Sequence, residues 1–202
     1  MRKPGRVAFV IVVAFTAVSA VLRSARAGDN TIRQPGDHPN YAIEIEPHLD
    51  FAWFDYAGYG IGSNGGVGLG ARFTIPIVKN GFVSTINNTV GIGFGGDWVY
   101  FGCTANVPSC GVSTLYFPVV MQWNFYVAHS WSVFGEPGFS FNYAFYNDNL
   151  CKNAGLGGAC VVGNAFFPGP VFEFGGRYHF NEHLALTARI GYPDFTFGVS
   201  FM

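Results

Sequence analysis

The chain has 202 residues, of which 50% are hydrophobic and only 11% charged, with 28 glycines and 22 phenylalanines. Ordinary soluble domains carry about 25% charged residues, so this composition excludes a conventional charge-covered surface. Beyond the first thirty residues no apolar run approaches the roughly 20 residues of a spanning helix, which leaves strands as the elements able to cross a membrane.

The N-terminus reads as an address. Arg2, Lys3 and Arg6 precede an apolar to weakly polar stretch, Val7 to Leu22, and Ala25-Arg26-Ala27 supplies a small-x-small cleavage pattern. Residues 1–27 are expected to be a signal peptide cleaved near Ala27; a looser cut after Ala20 and a retained anchor are the competing readings. Removal takes five of the 11 basic residues and none of the 12 acidic ones, leaving a net charge of −6 with histidine neutral. That balance argues against nucleic acid as a partner. Residues 28–40 form a polar N-terminal segment, and patterned sequence fills 41–202.

From Ile43 onward the dominant signal has period two. Ile43, Ile45, Pro47, Leu49, Phe51 and Trp53 share one face, while Glu44, Glu46, His48, Asp50 and Ala52 share the other. The pattern returns in Val67 to Ile77, with Gly68, Gly70, Arg72 and Thr74 opposite. It returns again in Ile86, Asn88, Val90, Ile92 and Phe94, where Asn88 is out of place on the apolar face. Phe117, Val119, Met121, Trp123 and Phe125 oppose Pro118, Val120, Gln122, Asn124 and Tyr126. Trp131 to Phe145 carries Glu136, and Phe172 to Phe180 carries Glu173, Arg177 and His179, on the polar side. Leu184 to Ile190 faces away from Thr187 and Arg189, and Phe195 to Phe201 away from Thr196, Gly198 and Ser200. These are eight segments.

Connection lengths alternate. Short turns are expected at Lys79-Asn80-Gly81, an Asn-Gly hairpin signal, and around Ala128-His129-Ser130 and Asn181-Glu182-His183. Long Gly-rich connections are expected at about 56–66, 95–113 and 146–164. Tyr192-Pro193-Asp194 is a short exception. Transmembrane barrels keep short turns in the periplasm and longer loops outside, which orients the first strand outward. Aromatics near both sets of ends, Trp123, Tyr126, Trp131, Tyr178 and Phe180 at one and Trp53, Tyr56, Trp98, Tyr143, Tyr146 and Tyr192 at the other, fit two interfacial girdles.

Cys103, Cys110, Cys151 and Cys160 form two local pairs inside these connections. An oxidising compartment favours disulfides, 103–110 and 151–160 being the simplest of three pairings. Zinc is the rival reading, against which stand the wide spacings and the lack of a nearby histidine.

The richer face is loaded with Phe, and the other carries Glu, Arg, Asn, Thr and Gly. A water-soluble barrel buries its greasy side, whereas an eight-stranded barrel has room inside only for side-chain filling. The reading is all-β: an eight-stranded antiparallel up-and-down transmembrane barrel in the Gram-negative outer membrane, with lipid as its principal partner. The residues resemble the small OmpA/OmpX-type outer-membrane barrels. The closing segment Thr196-Phe197-Gly198-Val199-Ser200-Phe201-Met202 is similar to their C-terminal insertion signal, although it ends on Met202. The likeness is one of architecture over about 41–202 and implies no periplasmic domain.

Glu44, Glu46, Asp50, Glu136 and Glu173 are expected inside with Arg72, Arg177 and Arg189, whose forked guanidiniums suit carboxylates. Their plain reading is a structural ion-pair plug; the alternative is a porin-like path for protons or small solutes. No catalytic, cofactor or metal motif stands out, so no enzyme and no cofactor are expected. Loops 95–113 and 146–164, with Trp98, Tyr100, Phe101 and Leu156, are candidates for an extracellular partner. The functional expectation is a structural or cell-surface interaction role.

Overall fold

The computed structural model describes residues 31–53, 63–103, 111–146 and 165–202. Among these residues eight strands, β1 (Glu44–Ala52), β2 (Ser63–Val78), β3 (Asn88–Cys103), β4 (Gly111–Ala128), β5 (Trp131–Tyr146), β6 (Ala165–Asn181), β7 (Leu184–Tyr192) and β8 (Asp194–Phe201), follow a 3-10 turn at Thr31–Arg33. Each pairs antiparallel with its neighbour in sequence, and β8 returns to β1 through Ile45↔Phe201 and Phe51↔Phe195 to close the barrel. Closure satisfies every strand edge along the shared register, the condition for placing strands in hydrocarbon.

Side-chain alternation decides which face is which. Along β1 the burial alternates without a break, with Glu44, Glu46, His48, Asp50 and Ala52 hidden and the residues between them exposed. Large apolar side chains stand outward on every strand, reaching 71% exposure at Phe174 and 66% at Phe139. A continuous apolar belt of this kind is foreign to the surface of a soluble monomer and is what lipid requires.

The wall is uneven. β2 to β6 are 16–18 residues long, whereas β1, β7 and β8 have 8–9. The last β6–β7 pair is Phe172↔Tyr192, so β6 continues past the level at which β7 turns into β8. We call this the loop end, and the opposite one the turn end.

Four expectations are corrected. The β2–β3 connection is not a tight Asn-Gly hairpin but runs over residues 79–87, and it folds back onto the barrel's outer face. Asn88 explains why: its side-chain amide donates to the carbonyls of Val83 (2.7 Å) and Ile86 (2.8 Å) and its oxygen accepts from Trp123 Nε1 (2.9 Å). The out-of-place polar residue is thus the anchor of this turn, and Gly81, at φ +58°, lies so close that a Cβ there would strike Asn88. Second, most of the expected loop 95–113 is strand, because β3 extends to Cys103 and β4 begins at Gly111. Third, Phe101 is not presented to a surface partner; it is 2% exposed and points into the barrel. Fourth, Tyr126 is no girdle residue but fills the turn-end interior. The two short turns fall where expected, between β4 and β5 and between β6 and β7.

Other girdle aromatics do meet in pairs on the outer wall: Trp131 with Tyr178 (5.0 Å between ring centroids), Tyr178 with Phe180 (5.1 Å) and Trp123 with Phe82 (5.6 Å). Tyr56, Leu156, Cys110, Cys151 and Cys160 lie outside the described residues, as does the side chain of Cys103.

Candidate functional site

The inward positions of the strands form a stacked polar interior. At the turn end the segment after Thr31 packs across the barrel mouth. Asn87 joins it from both sides, its backbone N–H donating to Ile32 O (2.7 Å) and its side chain to Asp37 O (2.5 Å), while Thr31 Oγ1 donates to Tyr126 O (3.3 Å). His38 stacks on Tyr126 at 5.0 Å, and His179 sits behind it within hydrogen-bond distance of Ser132 Oγ (2.9 Å). Between this segment and the strand ends lies a cleft of about 490 Å³ lined by His38, Tyr126, His129 and His179. Tyr41 closes the mouth with a contact to Glu44 Oε2 (3.4 Å), and burial, followed by that carboxylate's charge, holds its phenol well above the ordinary value.

The next levels contain the ion pairs. Arg177 Nη2 lies 2.8 Å from Glu44 Oε1, and its Nη1 donates to Asn124 Oδ1 (2.6 Å). Arg189 grips Glu46 with both terminal nitrogens, Nη2 to Oε2 at 2.7 Å, and turns its Nε to Glu136 Oε2 (3.0 Å). Arg72 Nη1 donates to the same Glu136 oxygen (3.0 Å) and lies 3.6 Å from Glu173. Gln122 donates to the other Glu136 oxygen (2.5 Å). A chain of charge therefore crosses the lumen from β1 through β7 and β5 to β2 and β6. Beneath it, the Phe134 ring supports Arg177 at 4.3 Å and Arg189 at 5.3 Å, a cation–π contact strengthened by exclusion of water. All eight charged residues expected inside, Glu44, Glu46, Asp50, Arg72, Glu136, Glu173, Arg177 and Arg189, are at most 3% exposed. Five of them, Glu46, Arg189, Glu136, Arg72 and Glu173, form this chain, Glu44 and Arg177 make a separate pair, and Asp50 stands apart from both.

Towards the loop end the balance fails. His48 Nε2 lies 3.0 Å from Asp97 Oδ1 and 3.5 Å from Asp50 Oδ1, and Asp194 is buried nearby at the β7–β8 turn. Asp97 and Asp194 extend the expected set. Their signal was present: stepping by twos forward from the inward Gly93 reaches Asp97 and back from Thr196 reaches Asp194, but Gly95-Gly96 hides the alternation in one case and a turn residue ends it in the other. Among the described residues the interior holds seven carboxylates against three guanidiniums. Beyond the aspartates Ala52, Val99, Phe101 and Tyr116 form one buried apolar cluster, with Thr114 and Asn142 buried beside it.

No family model matches the chain, and no curated protein matches it. Among solved structures, the outer membrane protein OprG from Pseudomonas aeruginosa superposes with a TM-score of 0.51 at 11% sequence identity, over 83% of this chain and 98% of OprG. Ail, the attachment invasion locus protein of Yersinia pestis, gives a TM-score of 0.45 at 11% identity over 79% of this chain and 95% of its own. Neisserial surface protein A gives 0.43 at 12% identity over 80% and 97%. With eight antiparallel strands closed in sequence order and an apolar belt outside, the chain has the fold of the small eight-stranded outer-membrane β-barrels.

Proposed function

We propose that this chain is an outer-membrane barrel whose interior is a structural plug, and whose activity is a non-enzymatic interaction role at the cell surface. In this reading residues 1–27 are removed on export, the turn end faces the periplasm and the loop end faces outward. The observation that carries it is the transverse chain Glu46–Arg189–Glu136–Arg72, in which every member is at most 3% exposed. A guanidinium fixed by three or four charge-assisted bonds leaves no water-filled path at that level, so solute would have to break several buried pairs at once. With the lumen filled, recognition falls to the connections 104–110 and 147–164, where 103–110 and 151–160 disulfides would shorten the exposed loops.

The rival reading, a porin-like conductor, has one observation in its favour: the carboxylates gathered below the loop end would attract cations. Planar-bilayer recording of the purified, folded protein separates the two. Current indistinguishable from that of lipid alone is expected; discrete, reproducible conductance steps would overturn the plug reading in favour of the channel.

A further inference from the structure

His48, Asp50 and Asp97 meet inside the barrel between the ion-pair chain and the cluster of Ala52, Val99, Phe101 and Tyr116. One ligand atom from each lies within 4.8 Å of the others. All three side chains are at most 5% exposed.

The hydrogen bonding of His48 sets the question. Its Nδ1 lies 3.2 Å from the backbone carbonyl of Glu46. A carbonyl oxygen only accepts, so Nδ1 carries the proton, and a neutral ring then aims the lone pair of Nε2 at the Asp97 and Asp50 carboxylates. Lone pair against carboxylate is repulsive unless a positive species lies between them. A proton on Nε2 would satisfy Asp97 at 3.0 Å but leave Asp50, neither of whose buried oxygens has a hydrogen-bond partner. None of the three arginines forms an ion pair with Asp50; each is directed to glutamates. A divalent cation would neutralise both aspartates and use the Nε2 lone pair.

We propose that His48, Asp50 and Asp97 form a binding site for a divalent transition-metal ion of the zinc class. The two His48–aspartate separations fit. Ligands about 2.0–2.1 Å from a metal stand roughly 2.8–3.4 Å apart in octahedral or tetrahedral geometry, against 3.0 and 3.5 Å here, and all three donor atoms lie within 4.8 Å of one another. An imidazole with two carboxylates selects such an ion over calcium or magnesium, which take oxygen ligands. The Glu46 carbonyl supplies the outer hydrogen bond that orients a metal-binding histidine. Room for the cluster depends on Gly70, where a Cβ would stand 2.0 Å from Asp97 Oδ1 and 2.7 Å from His48 Nε2. The inference does not depend on whether the barrel conducts, because a site on the inner wall is compatible with either reading.

The test is zinc titration of the folded, chelator-stripped full chain in detergent micelles, with folding monitored by gel mobility without heating. One Zn²⁺ per chain is expected, with affinity falling more than about tenfold in Asp50→Asn and in His48→Gln, and unchanged in Glu44→Gln, which lies at the turn end. Nitrogen-15 NMR of the histidine rings of the unsubstituted protein is a second readout that no variant's folding can obscure. Zinc should shift the His48 Nε2 resonance and leave Nδ1 protonated. Absence of stoichiometric binding, undiminished binding by both folded variants, or zinc-induced shifts confined to His38, His129, His179 or His183 would overturn the site.

Discussion

Arg189 on β7 and Glu46 on β1 are 143 residues apart in sequence and joined by two parallel hydrogen bonds in the middle of the barrel, both side chains at most 1% exposed. The pair bridges two of the short strands on the low side of the wall. A buried ion pair adds little stability compared with a well-packed apolar pair, but removing one partner strands the other charge in a low-dielectric interior. Arg189→Gln is therefore expected to cost about 3–5 kcal/mol. Urea unfolding of the barrel in lipid vesicles, followed by tryptophan fluorescence, measures it.

Phe134 fits beneath the two arginines because its cross-strand partner on β6 is Gly175. A Cβ on Gly175 would stand 2.1 Å from the tip of the ring, and the ring cannot retreat without giving up its contacts with Arg177 and Arg189. Gly175→Ala is expected to lose about 1–3 kcal/mol, as overpacked positions do. Gly135→Ala, where the nearest atoms are the Phe174 ring at 3.8 Å, is expected to change stability by less than about 0.5 kcal/mol. The same unfolding experiment on both variants checks the contrast.

Asn88 pins the 79–87 connection to the outer wall. Asn88→Ala removes its bonds to the Val83 and Ile86 carbonyls and the acceptor for Trp123, with an expected cost of about 1–3 kcal/mol for the groups left without partners. Limited proteolysis should reveal faster cleavage within 79–87 while the strands stay protected.

Much of this architecture was legible in the sequence because the outward and inward faces differ so sharply in chemistry. Glu44, Glu46 and Asp50 alternating with Ile45, Leu49 and Phe51 leave one sensible register for β1, and Arg177 and Arg189 mark the inner faces of β6 and β7 in the same way. Legibility failed where the rule of a polar inside gives way. Phe101 and Tyr126 point inward because the two ends of so narrow a lumen are filled by ring volume, not by charge; the alternation did set Tyr126 on the inner face, and its aromatic character near a turn is what placed it among the girdle residues. Asp97 was hidden behind two glycines that carry no pattern. Asn88 looked like a flaw in an apolar face because the segment it holds is adjacent in sequence but covers that face from outside. Partner choice within the network was equally unreadable, since which Glu meets which Arg depends on strand stagger around the closed barrel.

The central claim is that hydrocarbon surrounds the phenylalanine-rich face while the charged face looks inward, and magnetisation transfer from lipid acyl chains to the protein in nanodiscs tests it most directly. Strong transfer from chain methylenes to Phe139, Phe172, Phe174 and Phe197, with none to Ser132, Thr187 or Thr196, is the predicted result. Contact of water instead of acyl chains with those phenylalanines, or acyl-chain transfer to the three hydroxyl residues, would contradict it.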